Sequence, residues 1–464
     1  MHTPFFPAFR SRLAALGRRT AHALRQATLS QLQEQLRQVL PAPLLASTDE
    51  GDNSRERVFC LRFTFECFVW QVLSPQTSCR EVVRHVQGLL RLMGRTPIDQ
   101  SNSAYVQARL RLPRERLEQA LEATAKAADR RVGTGGQLNG RPVKVVDASA
   151  TRLPDTRKNQ KRYPQSPVQK PGCGFPLLKF MVLFSLGSGA VLNVMFGDLH
   201  DHDLRLLHGL WEALKKGDIL LGDRAFGEFS TLAGLPQLLG VDVLARLHQR
   251  RKADFRKAKR LAANDRLFVW TKNSCRSEVL PAAQWGLLPA AITVRIIRFT
   301  ATIRGFRNRR ITLVTSLLDP KLYPPEQLMA LYARRWRLEL CLRDLKTTMG
   351  MEQLRCQTPD MAEKELLAYL VAHNLIRCVM AQAVATYAVE LERVSFKGSV
   401  DALRQYSQAI SQARNRKLRQ QLWEDLLTNL ARDLVPSFSA SRSMRFSASS
   451  SVCVSRRDSV MPSS

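Results

Sequence analysis

The chain has 464 residues, of which 71 are Lys or Arg and 40 are Asp or Glu, so its formal net charge is +31. Hydrophobic residues make up 45% of the sequence, which excludes a wholly disordered chain, and the length predicts about two to four domains. A charge surplus of this size repels itself in the folded state. It therefore indicates a polyanionic partner, with nucleic acid ahead of an anionic membrane surface.

The cysteines indicate a reducing compartment. The nine cysteines form no C-x-x-C pair and their number is odd, which argues against a disulfide framework and a zinc ribbon. Three of them lie in apolar helical stretches and are predicted to be core residues: Cys67, Cys341 and Cys378.

No segment of the sequence is predicted to cross a membrane. The longest apolar stretch, 176–196, contains Lys179 and a Gly-Ser-Gly break at 187–189. It predicts two strands joined by a turn.

The first 33 residues contain no acidic residue and include five arginines. This composition fits an organellar transit peptide and also a basic arm that touches DNA. Because the whole chain is basic, the arm is the favoured interpretation.

Helical periodicity follows the arm. Helices are predicted from Asp52 or Ser54 to Leu73, through 82–90, and from Pro113 onward. Short helices with basic positions between them suit a DNA-binding domain, and they equally suit an ordinary helical bundle. Periodicity alone does not separate these two interpretations.

The pattern changes to strands after residues 133–140, a Gly-rich stretch that predicts a linker. Two short apolar runs each end in a carboxylate, at Asp147 and at Asp223. Pro and Gly residues predict a loop at 152–176, and a helix is predicted through 204–214. Further strands are predicted at 177–186, 190–196, 241–247, 267–270, 292–300 and 311–317.

The stretch 241–317 is therefore predicted to be a β-rich insertion, with basic loops that include 257–260 and 304–310. Long helices are predicted at 325–349, 362–384 and 400–434. The Ser-rich tail, 436–464, is predicted to be disordered.

The two strand-end carboxylates form a candidate metal site. Either Asp147 or Asp223 alone is more simply explained as a turn cap. Together at neighbouring strand ends they would repel each other unless a hard divalent cation lay between them. A third carboxylate, Glu339 on the helix that starts at Pro325, would complete an oxygen-rich site for magnesium or manganese.

Charged and aromatic residues share one face of that helix. Tyr332, Arg335, Glu339 and Lys346 lie within about 60° of one another at 100° per residue, and Trp336 flanks them. One interpretation is a solvated face with intrahelical ion pairs such as Arg335 with Glu339. The other is a metal ligand surrounded by phosphate binders, with a base stacked on Trp336.

A second acidic and histidine-rich segment, 198–203, contains His200 and His202. It resembles a metal cluster in composition. A polar turn between strand and helix, with Asp203 near the helix start, is the favoured interpretation.

The helix sequence Y-A-R-R-W-R-L-E-L-C-L-R-D-L-K has the spacing Y-(2)-R-(3)-E-(6)-K. It resembles the signature of a large family of bacterial insertion-sequence transposases with a DDE catalytic triad. The blocks V-V-D-A-S-A-T-R-L-P-D-T around Asp147 and L-L-G-D-R-A-F-G-E-F around Asp223 are similar to the other two catalytic blocks of that family. The resemblance runs from about residue 50 to about residue 430.

The resemblance implies an α/β fold with a ribonuclease-H-like catalytic core, interrupted by a β-rich insertion between the second Asp and the Glu. A helical DNA-binding domain would precede the core and C-terminal helices would follow it. The expected division is an arm at 1–45, a DNA-binding domain at 46–131, a core at 141–242 and 321–390, an insertion at 243–320, a C-terminal helical region at 391–435 and a disordered tail at 436–464.

The resemblance also implies an activity, namely metal-dependent cleavage and strand transfer at the inverted-repeat ends of an insertion sequence. Two magnesium ions, or manganese in their place, would be held by Asp147, Asp223 and Glu339. The expected DNA contacts are Tyr332, Arg335, Trp336, Lys346 and Arg224. The partners implied are double-stranded DNA and a second copy in a homodimer, without a membrane, in the cytoplasm at the nucleoid.

Other functions remain open at the level of sequence. A catalytically inactive or repurposed DNA-binding protein is the main alternative, because the Ser-rich tail departs from the family pattern. A stand-alone nuclease and a plain basic structural protein are further alternatives. The structural protein would have no use for the three carboxylates.

Overall fold

The structure is a computed structural model that describes residues 39–45, 58–74, 76–92, 94–170, 172–251, 253–273, 280–303, 309–413, 415–435 and 444–447. The chain divides into two compact units. The first consists of residues 1–220 and 334–436, and the second of residues 221–333 and 437–464. The described residues form a mixed α/β protein with a sheet and helices, as the sequence predicts.

The helices, in chain order, are α1 (Leu61–Leu73), α2 (Cys79–Leu92), α3 (Ser103–Arg111), α4 (Arg114–Val132), α5 (Arg157–Arg162), α6 (Asp203–Gly209), α7 (Phe229–Gly234), α8 (Ala282–Leu287), α9 (Pro325–Thr347), α10 (Pro359–Tyr387), α11 (Phe396–Gln412) and α12 (Arg416–Arg432). The strands are β1 (Gln137–Leu138), β2 (Arg141–Arg152), β3 (Leu177–Ser185), β4 (Val191–Gly197), β5 (Ile219–Gly222), β6 (Asp242–Arg246), β7 (Lys259–Ala262), β8 (Asp265–Thr271), β9 (Ala291–Ile303), β10 (Arg309–Thr315) and β11 (Met444–Ser447).

The N-terminal helices of the first unit begin where local signals place them. Ser78 and Glu81 form a reciprocal cap at the start of α2, with backbone-to-side-chain bonds of 3.3 and 2.6 Å. Pro113 directly precedes α4, as predicted. The helix predicted from Asp52 or Ser54 begins at Leu61, and both of those residues lie outside the described ones.

The end of the predicted basic arm packs against the first unit. A short 3-10 helix at Ala42–Leu45 contacts α4, and Leu44 and Leu45 are buried. Residues 1–38, which hold the five arginines, lie outside the described part of the chain.

Strand β2 of the first unit pairs with β1 and with β3, and β3 pairs with β4, all antiparallel. The linker predicted at 133–140 is wrong. Residues 137–138 form β1, and a side chain at Gly136 would lie 2.3 Å from the backbone nitrogen of Gly187. This close approach of two backbones needs glycine, so the stretch is a packed turn.

Helix α10 is the central helix of the first unit and packs against α1, α4 and α12. It is long and apolar enough to cross a membrane by length and composition, but 89% of its most apolar window is buried inside the protein. Asn374 accepts from the backbone nitrogen of Val191 at 2.8 Å, and Arg377 Nε donates to the carbonyl of Ser188 at 2.6 Å. These bonds fix α10 to the turn between β3 and β4, which was predicted at 187–189.

Two predicted helices are interrupted. The helix predicted at 204–214 ends at Gly209 and is followed by a 3-10 turn at Trp211–Ala213. The helix predicted at 400–434 is two helices, because Asn415 starts α12 by accepting from the backbone nitrogen of Leu418 at 2.7 Å. The loop predicted at 152–176 contains α5.

The second unit contains strands in the order β6-β10-β9-β8-β7, with β11 paired to β9. Its interior holds a buried ion pair, Arg295 Nη2 with Asp265 Oδ2 at 2.5 Å. The basic loop predicted at 257–260 is wrong in its second half, since Lys259 and Arg260 begin β7. The tail predicted to be disordered contributes β11, and the rest of 436–464 lies outside the described residues.

Candidate active site

Asp147 lies within β2 and does not end it, contrary to the expectation of a strand-end carboxylate. The strand continues to Arg152 because 148–152 pair with 177–181, and Asp147 itself is opposite Val182. Its Oδ1 accepts from the backbone nitrogen of Ala148 at 3.0 Å, and the residue is half-buried. The carboxylate is therefore held on a rigid strand.

The chain after α9 fixes the end of that helix against the end of β2. Thr151 Oγ1 donates to the carbonyl of Met351 at 2.6 Å, and the backbone nitrogen of Leu354 donates to Arg152 at 2.9 Å. Lys346 is thereby brought near Asp147. Burial lowers the pKa of the Lys346 ammonium, and the carboxylates of Glu352 and Asp147 oppose this effect.

Glu339 lies two turns before Lys346 on the same face of α9. Its Oε1 accepts from Arg335 Nη2 at 2.6 Å, which confirms the predicted intrahelical pair. The Arg335 side chain is 7% exposed whereas that of Glu339 is 49% exposed. A buried cation thus anchors one side of a carboxylate that is otherwise open to solvent.

Asp223 directly follows the buried strand β5, as predicted, and belongs to the second unit. Its Oδ1 accepts from the backbone nitrogen of Ala225 at 2.8 Å, which caps a short 3-10 helix at Arg224–Phe226. A side chain at Gly222 would lie 2.7 Å from Cδ2 of Phe226, so only glycine lets this turn close. Arg224 Nη1 donates to Gln249 Oε1 at 3.1 Å.

The predicted DNA contacts differ in accessibility. Tyr332 is 4% exposed and Arg335 is 6% exposed, so neither presents its side chain to solvent. Lys346 and Arg224 are half-buried. The side chain of Trp336 lies outside the described residues.

The three predicted metal ligands are divided between the units, with Asp147 and Glu339 in the first and Asp223 in the second. Within either unit, the part of the chain that the structure describes contains no group of three His, Cys, Asp or Glu residues that could hold a metal ion.

The histidine-rich segment is a polar turn, as favoured from the sequence. His202 caps α6 by accepting at Nδ1 from the backbone nitrogen of Leu204 at 3.3 Å, and Asp203 is the first residue of the helix. Asp198 and Asp201 bond to backbone nitrogens of the same turn. The predicted core cysteines 67, 341 and 378 are confirmed as buried.

Two charged groups near the site carry no sequence signal. Glu352 acts on Lys346 from beyond the end of α9. Asp218, just before β5, is buried and pairs with Lys144 of β2, with 2.6 Å between Oδ2 and Nζ. Lys144 lies three residues before Asp147, so this pair holds the strand that carries the candidate ligand.

Comparisons with known proteins agree on one family. The model of the transposase DDE domain matches residues 138–375. Transposase InsG for insertion sequence element IS4, from Escherichia coli strain K12, is 26% identical over 323 residues, which are 69% of this chain and 70% of that protein.

A solved structure of a piggyBac transposase synaptic complex with hairpin DNA covers 90% of this chain and 86% of its own, at 10% identity and a TM-score of 0.41. A score at this level does not establish a shared fold. The domain match covers half of the chain and includes Asp147, Asp223 and Glu339. The chain therefore belongs to the family of insertion-sequence transposases with a DDE domain.

Proposed function

We propose that this transposase binds the inverted-repeat ends of its own insertion sequence and catalyses cut-and-paste transposition by metal-dependent DNA cleavage and strand transfer. The observation that carries the proposal is the match of the transposase DDE domain to residues 138–375, a range that contains Asp147, Asp223 and Glu339. Helix α9 holds Glu339 and Lys346 on one face, so the same helix offers a carboxylate and a cation beside the strand of the first Asp. That combination suits chemistry on a phosphodiester.

The proposed core is ribonuclease-H-like and consists of residues 141–242 and 321–390, with the insertion at 243–320 between its parts. The domain match to residues 138–375 overlaps most of this proposed core and supports a catalytic domain in this part of the chain. The helices before it are proposed to bind DNA, and those at 391–435 to complete the C-terminal region.

We propose that Asp147, Asp223 and Glu339 hold two magnesium ions, with manganese as a substitute. The donor chemistry fits, because carboxylate oxygens are the preferred ligands of hard divalent cations. Oδ1 of Asp147 accepts from the backbone nitrogen of Ala148, and Oδ1 of Asp223 accepts from that of Ala225. When bound, the ions would activate a water or a DNA 3′-hydroxyl and stabilise the leaving oxygen.

The chain's own cations have separate tasks in this proposal. Arg335 positions the Glu339 carboxylate through their 2.6 Å contact. Lys346 and Arg224 hold phosphates beside Asp147 and Asp223, since both are half-buried and not enclosed. Tyr332 and Trp336 stay predictions as DNA contacts.

The proposed partners are the transposon ends, the target duplex and a second copy of the chain in a synaptic homodimer, in the bacterial cytoplasm at the nucleoid. The net charge of +31 supports a DNA partner, because a polyanion relieves the self-repulsion of the protein.

The test uses the full chain and a duplex made from the inverted repeats that flank its gene. Products are followed with magnesium, with chelator, and with Asp223→Asn, and Asp99→Asn serves as an exposed control. We expect a magnesium-dependent nick at the repeat boundary. Asp223→Asn should abolish it, and Asp99→Asn should leave it unchanged. Binding of the ends without cleavage by the wild type would instead support an inactive DNA-binding protein. If the wild type neither binds nor cleaves these ends, the proposal is overturned.

A further inference from the structure

Four arginines lie on one face of neighbouring strands in the second unit and are called here the arginine row: Arg260 of β7, Arg266 of β8, Arg298 of β9 and Arg310 of β10. Arg260 is directly opposite Arg266. Arg266 is opposite Ile296, and Arg298 follows two positions later on the same face. Arg310 is opposite Thr300, again two positions along. Since side chains alternate along a strand, all four share one face.

No residue of the arginine row forms an ion pair with a carboxylate within the described part of the chain. Arg266 Nε donates to the carbonyl of Phe255 at 3.3 Å, and Arg298 Nη2 donates to the carbonyl of Ala253 at 2.6 Å. The Arg298 guanidinium also lies 3.6 Å from the centroid of the Phe255 ring. These groups are held in place by neutral partners, so their charge is not neutralised.

Two acids, Asp265 and Asp254, lie near the arginine row. Asp265 is committed to the buried Arg295. Asp254 accepts from the backbone nitrogen of Arg256 at 3.0 Å, within its own turn. Because a hydrogen bond from a neutral amide leaves the charge of Asp254 in place, Asp254 offsets part of the charge of the four arginines, and the local charge balance stays positive.

Repulsion among the arginines of the row destabilises the folded protein. Like charges directly opposite on antiparallel strands destabilise the pair, and Arg260 faces Arg266 in this way. Burial lowers the pKa of Arg298, and Arg310 and Arg266 lower it further while Asp254 opposes them. Such repulsion is relieved when a polyanion supplies the missing charge.

The dimensions suit a nucleic-acid backbone. Opposite positions on a sheet are about 5 Å apart and diagonal ones about 7–8 Å, so the row spans about 20 Å, the axial length of about six base pairs. A groove of 780 Å³ adjoins it, and its wall contains three cations, Arg251, Lys257 and Lys259, against one carboxylate, Asp254. Arg251 lies 4.1 Å above the centroid of the Trp270 ring, which holds its charge over the groove.

We propose that the arginine row and its adjoining groove bind the phosphate backbone of duplex DNA without regard to sequence. The inference goes beyond the chemistry proposed at α9 and rests on the proposed function only in taking DNA as the partner. It assigns to the insertion a second DNA surface, whose arginine row has no ion pair with a carboxylate among the described residues.

The test is the variant Arg260→Glu, because this substitution should stabilise the fold and at the same time weaken DNA binding. A carboxylate opposite Arg266 turns a repulsive pair into an attractive one, so the melting temperature should rise. Affinity for a random-sequence 30-base-pair duplex should fall about eightfold or more near 0.1 M salt. The slope of log Kd against log salt should shrink by about one, because one phosphate contact is lost.

The matched control is Lys321→Glu, which makes the same charge change at an exposed position of the second unit away from the row. It should leave the slope unchanged. If both variants weaken binding equally, the effect is one of net charge and the inference is overturned. Arg310→Gln, a milder change at the other end of the row, replaces Arg260→Glu should that variant fail to fold.

Two further outcomes would also overturn the inference. One is unchanged duplex binding by Arg260→Glu in a protein whose melting temperature has risen. The other is tighter wild-type binding to the single strand than to the duplex, lost in the variant, which would indicate base stacking. Cleavage at the transposon ends by the wild type is measured separately, so failure of the proposed function is distinguished from failure of this inference.

Discussion

Two cations near the candidate active site and two cations of the arginine row are partnered in opposite ways. In the first unit, Arg335 contacts Glu339 at 2.6 Å and Lys144 contacts Asp218 at 2.6 Å. In the second unit, Arg266 and Arg298 are held by backbone carbonyls and an aromatic ring. The two cations of the first unit are thus paired with carboxylates, whereas the two arginines of the second unit are held by neutral groups.

The difference is one of position and not of composition. The second unit also contains a cation paired with a carboxylate, and there both side chains are buried: Arg295 and Asp265 are almost completely buried and 2.5 Å apart. A cation with a carboxylate partner is fixed in one geometry and largely neutralised. A cation held by neutral groups keeps its full charge for an external anion, at a cost to the folded state.

The largest expected effect separates positioning from binding at α9. Glu339→Gln keeps an oxygen that accepts from Arg335 but removes the negative charge. We expect DNA cleavage to fall about a thousand-fold or more, with end binding changed less than about twofold. Single-turnover cleavage and a binding titration measure the two quantities. Glu326→Gln, exposed in the first turn of the same helix, is the control, and equal losses in both variants would contradict the assigned role.

The next effect concerns the buried pair of the second unit. Asp265→Asn leaves the Arg295 guanidinium buried without its counter-charge, which should lower the free energy of unfolding by about 3–5 kcal/mol. Denaturant unfolding of the full chain measures it. Asp254→Asn, at an exposed turn beside the arginine row, should change stability by only about 0.5 kcal/mol. A loss below about 1 kcal/mol in Asp265→Asn would mean that the second unit does not depend on paired charges.

Local patterns predicted the elements that depend on local forces. The turn at 187–189, the strands beside it and helix α9 appear where periodicity and glycine place them. Long-range pairing explains the errors. The strand was predicted to end at Asp147, yet the run A-S-A-T extends β2 because β3 lies alongside. Arg260 was likewise predicted to lie in a basic loop. Its position opposite Arg266 depends on the pairing register of β7 and β8, which a local sequence pattern does not determine.

The candidate site was predictable in part. The pair of Arg335 with Glu339 follows from helical spacing and is confirmed. The burial of Tyr332 does not follow from it, because the helix pattern gives relative directions and not what covers each face. The proximity of Lys346 to Asp147 also depends on the chain after α9, which binds the end of β2.

A smaller effect should appear in the pH dependence, where Lys346 differs from a fully exposed lysine. Burial lowers the pKa of Lys346, so its ammonium is lost at a lower pH than usual as the pH rises. If Lys346 holds a phosphate, cleavage should decline on the alkaline side, and Lys346→Arg should move that decline to higher pH. A pH–rate profile from pH 7 upward measures this. The lowered pKa also means that the charged form costs stability near neutrality. This cost falls as the pH rises through the lowered pKa and is gone above the ordinary pKa of the unfolded chain. Identical alkaline limbs in both proteins would remove Lys346 from the phosphate contacts.

The smallest effect tests whether the acidic and histidine-rich turn at 198–203 is a cap or a metal site. His202→Ala removes the acceptor for the backbone nitrogen of Leu204, a single contact of 3.3 Å at the start of a short helix. The loss of stability should be about 1 kcal/mol or less. Magnesium or zinc should shift the melting temperatures of wild type and variant equally, because the side chain serves the helix and no ion. His202→Asn, which can cap in the same way, should restore the stability. A metal-induced shift of the melting temperature that is present in the wild type and absent from both variants would show that this turn binds a cation. The carboxylates of the turn would then have a metal partner in addition to the neighbouring lysines and arginines.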